Sequence, residues 1–239
     1  MSADAQPLPI PLPSGASLPG LLLRPEEPLG CFVFAHGAGA GMQHPFMADL
    51  AQALYGRGVA TLRFQFPFMH SGSKRPDRPE VAQEAVRAAV AEAARRFPAV
   101  PLFAGGKSFG GRMASQAQAA RLLDGVSGLV FVGFPLHPAG KPGTARAVHL
   151  RDVNVPMLFV QGDRDTLADM TLMQGTVAHL GEAATLHVVA GADHGFQVLV
   201  RSGRLASEVV DEIADTLSQW ISSVVPEDFA GLRQGARTR

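Results

Sequence analysis

One cysteine stands in the 239 residues, Cys31. A lone cysteine cannot close an internal disulfide, and its place at the start of an apolar run fits a buried thiol in a reducing compartment. An excess of charge of one sign is also missing. Lys plus Arg and Asp plus Glu each number 21, for a formal charge of zero, so nothing draws the chain to nucleic acid or to an anionic membrane surface. No apolar run approaches the roughly 18 residues of a spanning helix. The opening segment, Met1 to Gln6, has no basic patch and runs into Pro7, Pro9, Pro11 and Pro13, which argues against a signal peptide or membrane anchor there. The histidines and Cys31 form neither HExxH nor Cys/His zinc spacing, so neither metal nor cofactor is expected. No internal repeat is found. What remains is a cytoplasmic globular protein, monomer or homodimer, whose partner is a small molecule.

Apolar strands alternate with helical stretches along most of the chain. Strands are expected at 18–23, 31–35, 59–66, 100–104, 126–134, 156–161 and 185–189. Helices are expected near 45–55, 79–97, 112–123, 167–180 and 202–225. That alternation implies parallel strands joined by right-handed crossovers, and strands without polar alternation imply burial on both faces. The expected fold class is α/β: one domain over 1–225, a mostly parallel twisted sheet with helices on both faces. The polar, basic tail 226–239 is expected to fray. In helix 79–97, Val81, Ala85, Ala89 and Ala93 make an apolar stripe, with Glu92 among the residues assigned to the solvated face. In the last helix Leu205, Val209, Ile213, Leu217, Ile221 and Val224 line one side.

Chemistry concentrates at Gly105-Gly106-Lys107-Ser108-Phe109-Gly110-Gly111. It contains G-x-S-x-G between a buried strand and a helix, the context of a nucleophile elbow. Gly106 and Gly110 fill a steric need where the turn leaves no room for Cβ atoms. A phosphate-cradling loop is the competing reading of such a turn, but the Walker spacing needs glycine at 101 and Pro101 is there. Downstream, strand 156–161 ends in Gly162-Asp163-Arg164-Asp165, and strand 185–189 is followed by Gly191-Ala192-Asp193-His194-Gly195. Ser108, an aspartate and His194 thus follow the chain order of a Ser-Asp-His triad. Asp165 is the favoured acid and Asp163 the alternative. Asp193 reads as a loop-capping carboxylate. Strand 31–35 runs into His36-Gly37-Ala38-Gly39, where a glycine turn can aim backbone N–H groups toward Ser108; Ala38 and Phe109 are the expected oxyanion donors. His36, Gly37, Gly39, Phe66, Lys107 and Phe134 are candidates for the pocket. Arg112, in a helix first turn, opposes the helix dipole and suggests an acidic partner.

HGAGAGMQHPFM (36–47), LRFQFPF (62–68), GGKSFGGRMAS (105–115), FPLHPAGKP (134–142), VPMLFVQGDRD (155–165) and GADHGF (191–196) carry a resemblance. The chain resembles α/β-hydrolases of the dienelactone-hydrolase-like group, and within it a branch of predicted hydrolases that includes testis-expressed-protein-30-like sequences. The resemblance spans most of Cys31 to Phe196. It implies a three-layer fold and a serine hydrolase acting on small esters or thioesters through an acyl-enzyme. Dienelactone hydrolases proper carry a cysteine nucleophile; Ser108 in that place argues against their particular activity. Peptidase or amidase chemistry on the same residues, or a hydrolase fold used as a scaffold, are the alternatives. The connection 135–154 stands where many such folds insert a lid, and at about twenty residues implies a minimal one and an open site.

Overall fold

The computed structural model describes residues 3–225, so the expected tail 226–239 lies outside the described residues. Eight strands form one sheet: β1 (Gln6–Pro11), β2 (Ser17–Leu23), β3 (Gly30–Ala35), β4 (Val59–Phe64), β5 (Leu102–Lys107), β6 (Val126–Val132), β7 (Met157–Gly162) and β8 (Ala184–Val189), in the order β1-β2-β4-β3-β5-β6-β7-β8. β1 and β2 pair antiparallel, as do β2 and β4; every pairing from β4 to β8 is parallel.

The helices are α1 (Pro45–Gly56), the short α2 (Pro67–His70), α3 (Pro79–Arg96), α4 (Phe109–Ala120), α5 (Met170–Leu180) and α6 (Ala206–Val224). α3, α4 and α5 cover one face of the sheet; α1 and α6 cover the other. Alternate residues of each central strand feed the two cores. Cys31, Val33, Leu129, Phe131, Met157 and Phe159 face one side; Phe32, Phe34, Val130, Val132, Leu158 and Val160 face the other. A strand buried on both faces has no polar alternation to show.

Three local expectations change. Three of the four prolines read as interruptions belong to β1, where Pro7, Pro9 and Pro11 are exposed and Leu8 and Ile10 are buried. Spaced two apart on an edge strand, their missing N–H groups can all fall on the side away from β2, the arrangement a sheet edge tolerates. In α3, Val81 is exposed, while Glu92, assigned to the solvated face, is buried between Arg95 and Arg96 at 2.8 and 2.5 Å; those guanidinium groups hold its carboxyl below the ordinary range. In the last helix Leu205 stands outside the apolar face and is exposed. Its N–H donates to Glu208 Oε2, and helix proper starts at Ala206.

The chain reverses direction across the sheet at β3. It leaves β3 toward β4 through α1, then crosses back through α3 to β5 on the opposite side. Such a switch point opens a crevice at the carboxyl ends of the strands. The loops after β3, β5, β7 and β8 all meet at that edge.

Candidate active site

β5 ends at Lys107 and α4 begins at Phe109, so a single residue, Ser108, makes the turn. The expected start of this helix at 112 is therefore three residues late. Ser108 has φ 49° and ψ −111°, a backbone state costing on the order of 1–3 kcal/mol outside glycine. Its neighbours allow it. A Cβ on Gly106 would lie 2.1 Å from the Ala35 carbonyl oxygen, and one on Gly110 2.6 Å from that of His36. The elbow is thus pressed against β3 and the loop that follows it.

Two further loops reach the serine. His194 Nε2 lies 2.8 Å from Ser108 Oγ, and His194 Nδ1 lies 2.6 Å from Asp165 Oδ2. With Nδ1–H donating to the carboxylate, Nε2 is left to accept from the hydroxyl. The Asp165 side chain is fully enclosed, and its other oxygen accepts from the Leu167 N–H at 2.7 Å. Asp163 turns away; its Oδ1 accepts from the Gly191 N–H at 2.8 Å. Asp193 Oδ1 accepts from the N–H groups of Gly195 and Gln197 at 2.8 and 2.9 Å, closing the loop that presents His194.

Gln161 was not among the sequence candidates. It is fully buried in β7, and its Nε2 donates to Asp165 Oδ2 at 2.5 Å, while its Oε1 finds no partner. A polar residue closing an otherwise apolar strand four residues before an aspartate was the available signal.

His36 braces the glycine loop from beneath. It is fully buried, its Nδ1 donates to the Gly37 carbonyl at 2.7 Å, and its Nε2 accepts from the Phe66 N–H at 3.0 Å. Burial pulls its pKa below the ordinary histidine value, as a neutral ring in this bonding pattern requires. Ala38 lies in the loop so held and lines a cavity with Ser108. Phe109 is the first residue of α4, where a backbone N–H has no acceptor inside the helix.

That cavity has a volume of about 370 Å³. Gly37, Gly39, Ala40, Phe46, Met47 and Leu167 are among the residues that line it, together with Ser108, His194 and Lys107. Three pocket candidates are placed elsewhere. His36 lies behind the loop. Phe66 is buried against His36, Phe64, Phe68 and Phe109. Phe134 packs on Phe131 and Phe159 at 5.3 and 5.8 Å between ring centres. Both phenylalanines are core.

The connection 135–154 contributes no residue to the cavity lining. Its 3₁₀ helix, Ala145–Asp152, packs against α4. There His149 Nε2 lies 2.8 Å from Ser115 Oγ. This second Ser–His contact is structural: Ser115 is fully buried and its hydroxyl donates to the Arg112 carbonyl at 2.9 Å. The acidic partner expected for Arg112 is absent among the described residues. Its Nε is buried without a hydrogen bond, and burial, with Arg146 nearby, lowers its pKa. Among the described residues, no group of three or more His, Cys, Asp or Glu is placed to hold a metal, and no helix is long and apolar enough to cross a membrane.

The profile of a family described as "Alpha/beta hydrolase domain" matches residues 29–222. Among solved structures the chain is similar to a dienelactone hydrolase from Anabaena variabilis, with a TM-score of 0.75, 20% identity, and coverage of 94% of this chain and 100% of that one. It is similar to a serine hydrolase without lid from Xanthomonas campestris, with a TM-score of 0.70, 21% identity, and coverage of 92% and 96%. It is also similar to the esterase domain of a Rhodothermus marinus protein, with a TM-score of 0.70, 16% identity, and coverage of 94% and 100%.

Proposed function

The chain belongs to the α/β-hydrolase domain family, and from that premise we propose that it is a serine hydrolase cleaving small carboxylic esters or thioesters through an acyl-enzyme. The observation that carries the reading is the continuous contact from Asp165 through His194 to Ser108, at 2.6 and 2.8 Å, with Ser108 opening into a cavity.

A serine hydroxyl at its ordinary pKa is a poor nucleophile and needs a base within reach. In this reading Ser108 Oγ attacks the substrate carbonyl carbon while its proton passes to His194 Nε2. Asp165 holds the tautomer and stabilises the imidazolium that forms. The carbonyl oxygen, now negative, is held by the N–H groups of Ala38 and Phe109, each worth about 10²–10³ in rate in comparable sites. His194 returns its proton to the leaving alcohol or thiol as the carbon–heteroatom bond breaks. Water, deprotonated by His194, then attacks the acyl-enzyme, and Ser108 recovers its proton as the acid leaves. A small, mostly apolar cavity bounds the acyl group, and a connection that stays off the cavity supports open access, as in the lidless Xanthomonas relative.

A fluorophosphonate probe tests this without a known substrate. The wild type is expected to label and S108A to remain unlabelled; absence of label on the wild type would sink the reading. A panel of esters of graded acyl length, expected to favour short chains, then defines the substrate.

A further inference from the structure

Lys107 immediately precedes Ser108, yet its side chain reaches the loop that carries the base. Nζ donates to the backbone carbonyl of His194 at 2.5 Å. It stands 5.2 Å from the centre of the Phe196 ring, in cation–π range. It also lies against Gly133, where a Cβ would come within 3.0 Å of the ammonium nitrogen. Phe196 is held in turn. It has φ 61°, a left-handed state for a residue with a side chain, and its ring stacks on Phe46 with centroids 5.6 Å apart. One ammonium group therefore ties the strand of the nucleophile to the loop of the base.

We propose that Lys107 is a positioning residue: its ammonium group clamps the His194 loop to the elbow strand and fixes the distance from His194 Nε2 to Ser108 Oγ. The proposal rests on the serine-hydrolase reading above. A tether at the carbonyl of His194 itself acts on the base with no intervening side chain. A misplacement of about 1 Å in a catalytic group costs on the order of a hundredfold in rate.

The clamp has a pH range. Burial pushes the Lys107 pKa down to about 8, against the pull of Asp165 and Asp193. The titratable groups around it are those two carboxylates and His194, with His44 at the start of α1 lining the same cavity. Below about pH 8 the bond to the His194 carbonyl is charge-assisted; above it Nζ is a neutral amine and a weaker donor.

The test uses the rate of fluorophosphonate labelling in the full-length protein between pH 6 and 10. In that reaction the Ser108 Oγ–phosphorus bond forms, fluoride leaves, and the proton goes to His194, so the rate reads the geometry of the base directly. The wild type is expected to label fastest near neutrality and to slow above about pH 8. K107M, which keeps the length of the side chain and removes the charge, is expected to label about tenfold or more slowly at pH 7 and to lack the alkaline decline. K107R stays charged throughout. Its larger planar group lowers the pH 7 rate to some extent, but the alkaline decline is expected to vanish, and that profile carries the test by itself should K107M fail to fold. If the variants reproduce the wild-type rate and profile, the clamp is overturned while the serine-hydrolase reading stands. If the wild type does not label at all, both fall together.

Discussion

Gln161 and His194 share one oxygen of Asp165. The amide donates to Oδ2 at 2.5 Å and the imidazole at 2.6 Å. A carboxylate oxygen that accepts two donors is held in place from two sides. Gln161 gives up something for this, because its own Oε1 is buried with no partner, at a cost of roughly 1–3 kcal/mol. Replacing it should therefore separate stability from activity. Q161L is expected to move the melting temperature little, because removing the orphan oxygen offsets the donor that the buried carboxylate loses. Its kcat is expected to fall about tenfold as Asp165 loses a donor. Equal kcat in wild type and Q161L, measured on any ester that turns over, would show that the amide does not support Asp165.

The two aspartates of the β7 turn are distinguished by the same measurement. Asp165 Oδ2 faces His194, while Asp163 Oδ1 accepts from Gly191. D165N leaves an amide in place of the charge, favours the wrong imidazole tautomer, and is expected to reduce kcat by about 10³–10⁴. D163N keeps an oxygen for the Gly191 N–H and is expected to stay within about threefold of wild type. A reversal of that order would move the acid to Asp163.

What could be read in the chain itself follows from where the physics is local. Burial on both faces makes 31–35, 129–132 and 157–160 unbroken apolar runs, and the glycines of the elbow answer a steric demand within a few residues. The order of strands and helices, and hence the parallel sheet, is legible for that reason. Side-chain direction at strand ends is not local. Phe66 and Phe134 each follow a strand, as a pocket residue would, but the first turns in to pack on His36 and the second packs on β6 and β7. β1 was hidden because proline usually marks a break; only the pairing with β2 makes its two-residue spacing an edge. Gln161 was hidden because a buried glutamine has meaning only beside the group it contacts.

Gly106 offers a test of the elbow independent of catalysis. Its φ is 154°, and an added Cβ would stand 2.1 Å from the Ala35 oxygen, a backbone atom of the central strand β3. Neither side of that contact can yield without separating β3 from β5. G106A is expected to cost more than about 4 kcal/mol, the range reserved for strained or overpacked interiors, and to appear mainly as insoluble protein. G39A is the control. Nothing lies within 4 Å of a Cβ there, so the variant is expected to fold with a melting temperature near wild type. A soluble G106A of normal melting temperature would contradict the packing described.

His149 links the connection 135–154 to α4, and its titration should be visible in stability. Burial, with Arg112 nearby, pulls its pKa from the ordinary 6.5 down to about 4. The folded state therefore holds the ring neutral through a window in which the unfolded chain binds a proton. Between about pH 6.5 and 4 the unfolded state carries more protons, so stability falls as pH falls across that interval. The ring is partly open to solvent, which limits the effect to roughly 1 kcal/mol. The check is the difference between wild type and H149Q, which keeps a polar group beside Ser115 without a titrating ring. Urea midpoints of the two proteins are expected to run parallel above pH 7 and to approach each other between pH 6.5 and 4.5, the wild type losing more. Because every other acid group is common to both chains, parallel lines over the whole range would mean that His149 takes up its proton as readily folded as unfolded, and that the connection is not held to α4 through a neutral ring.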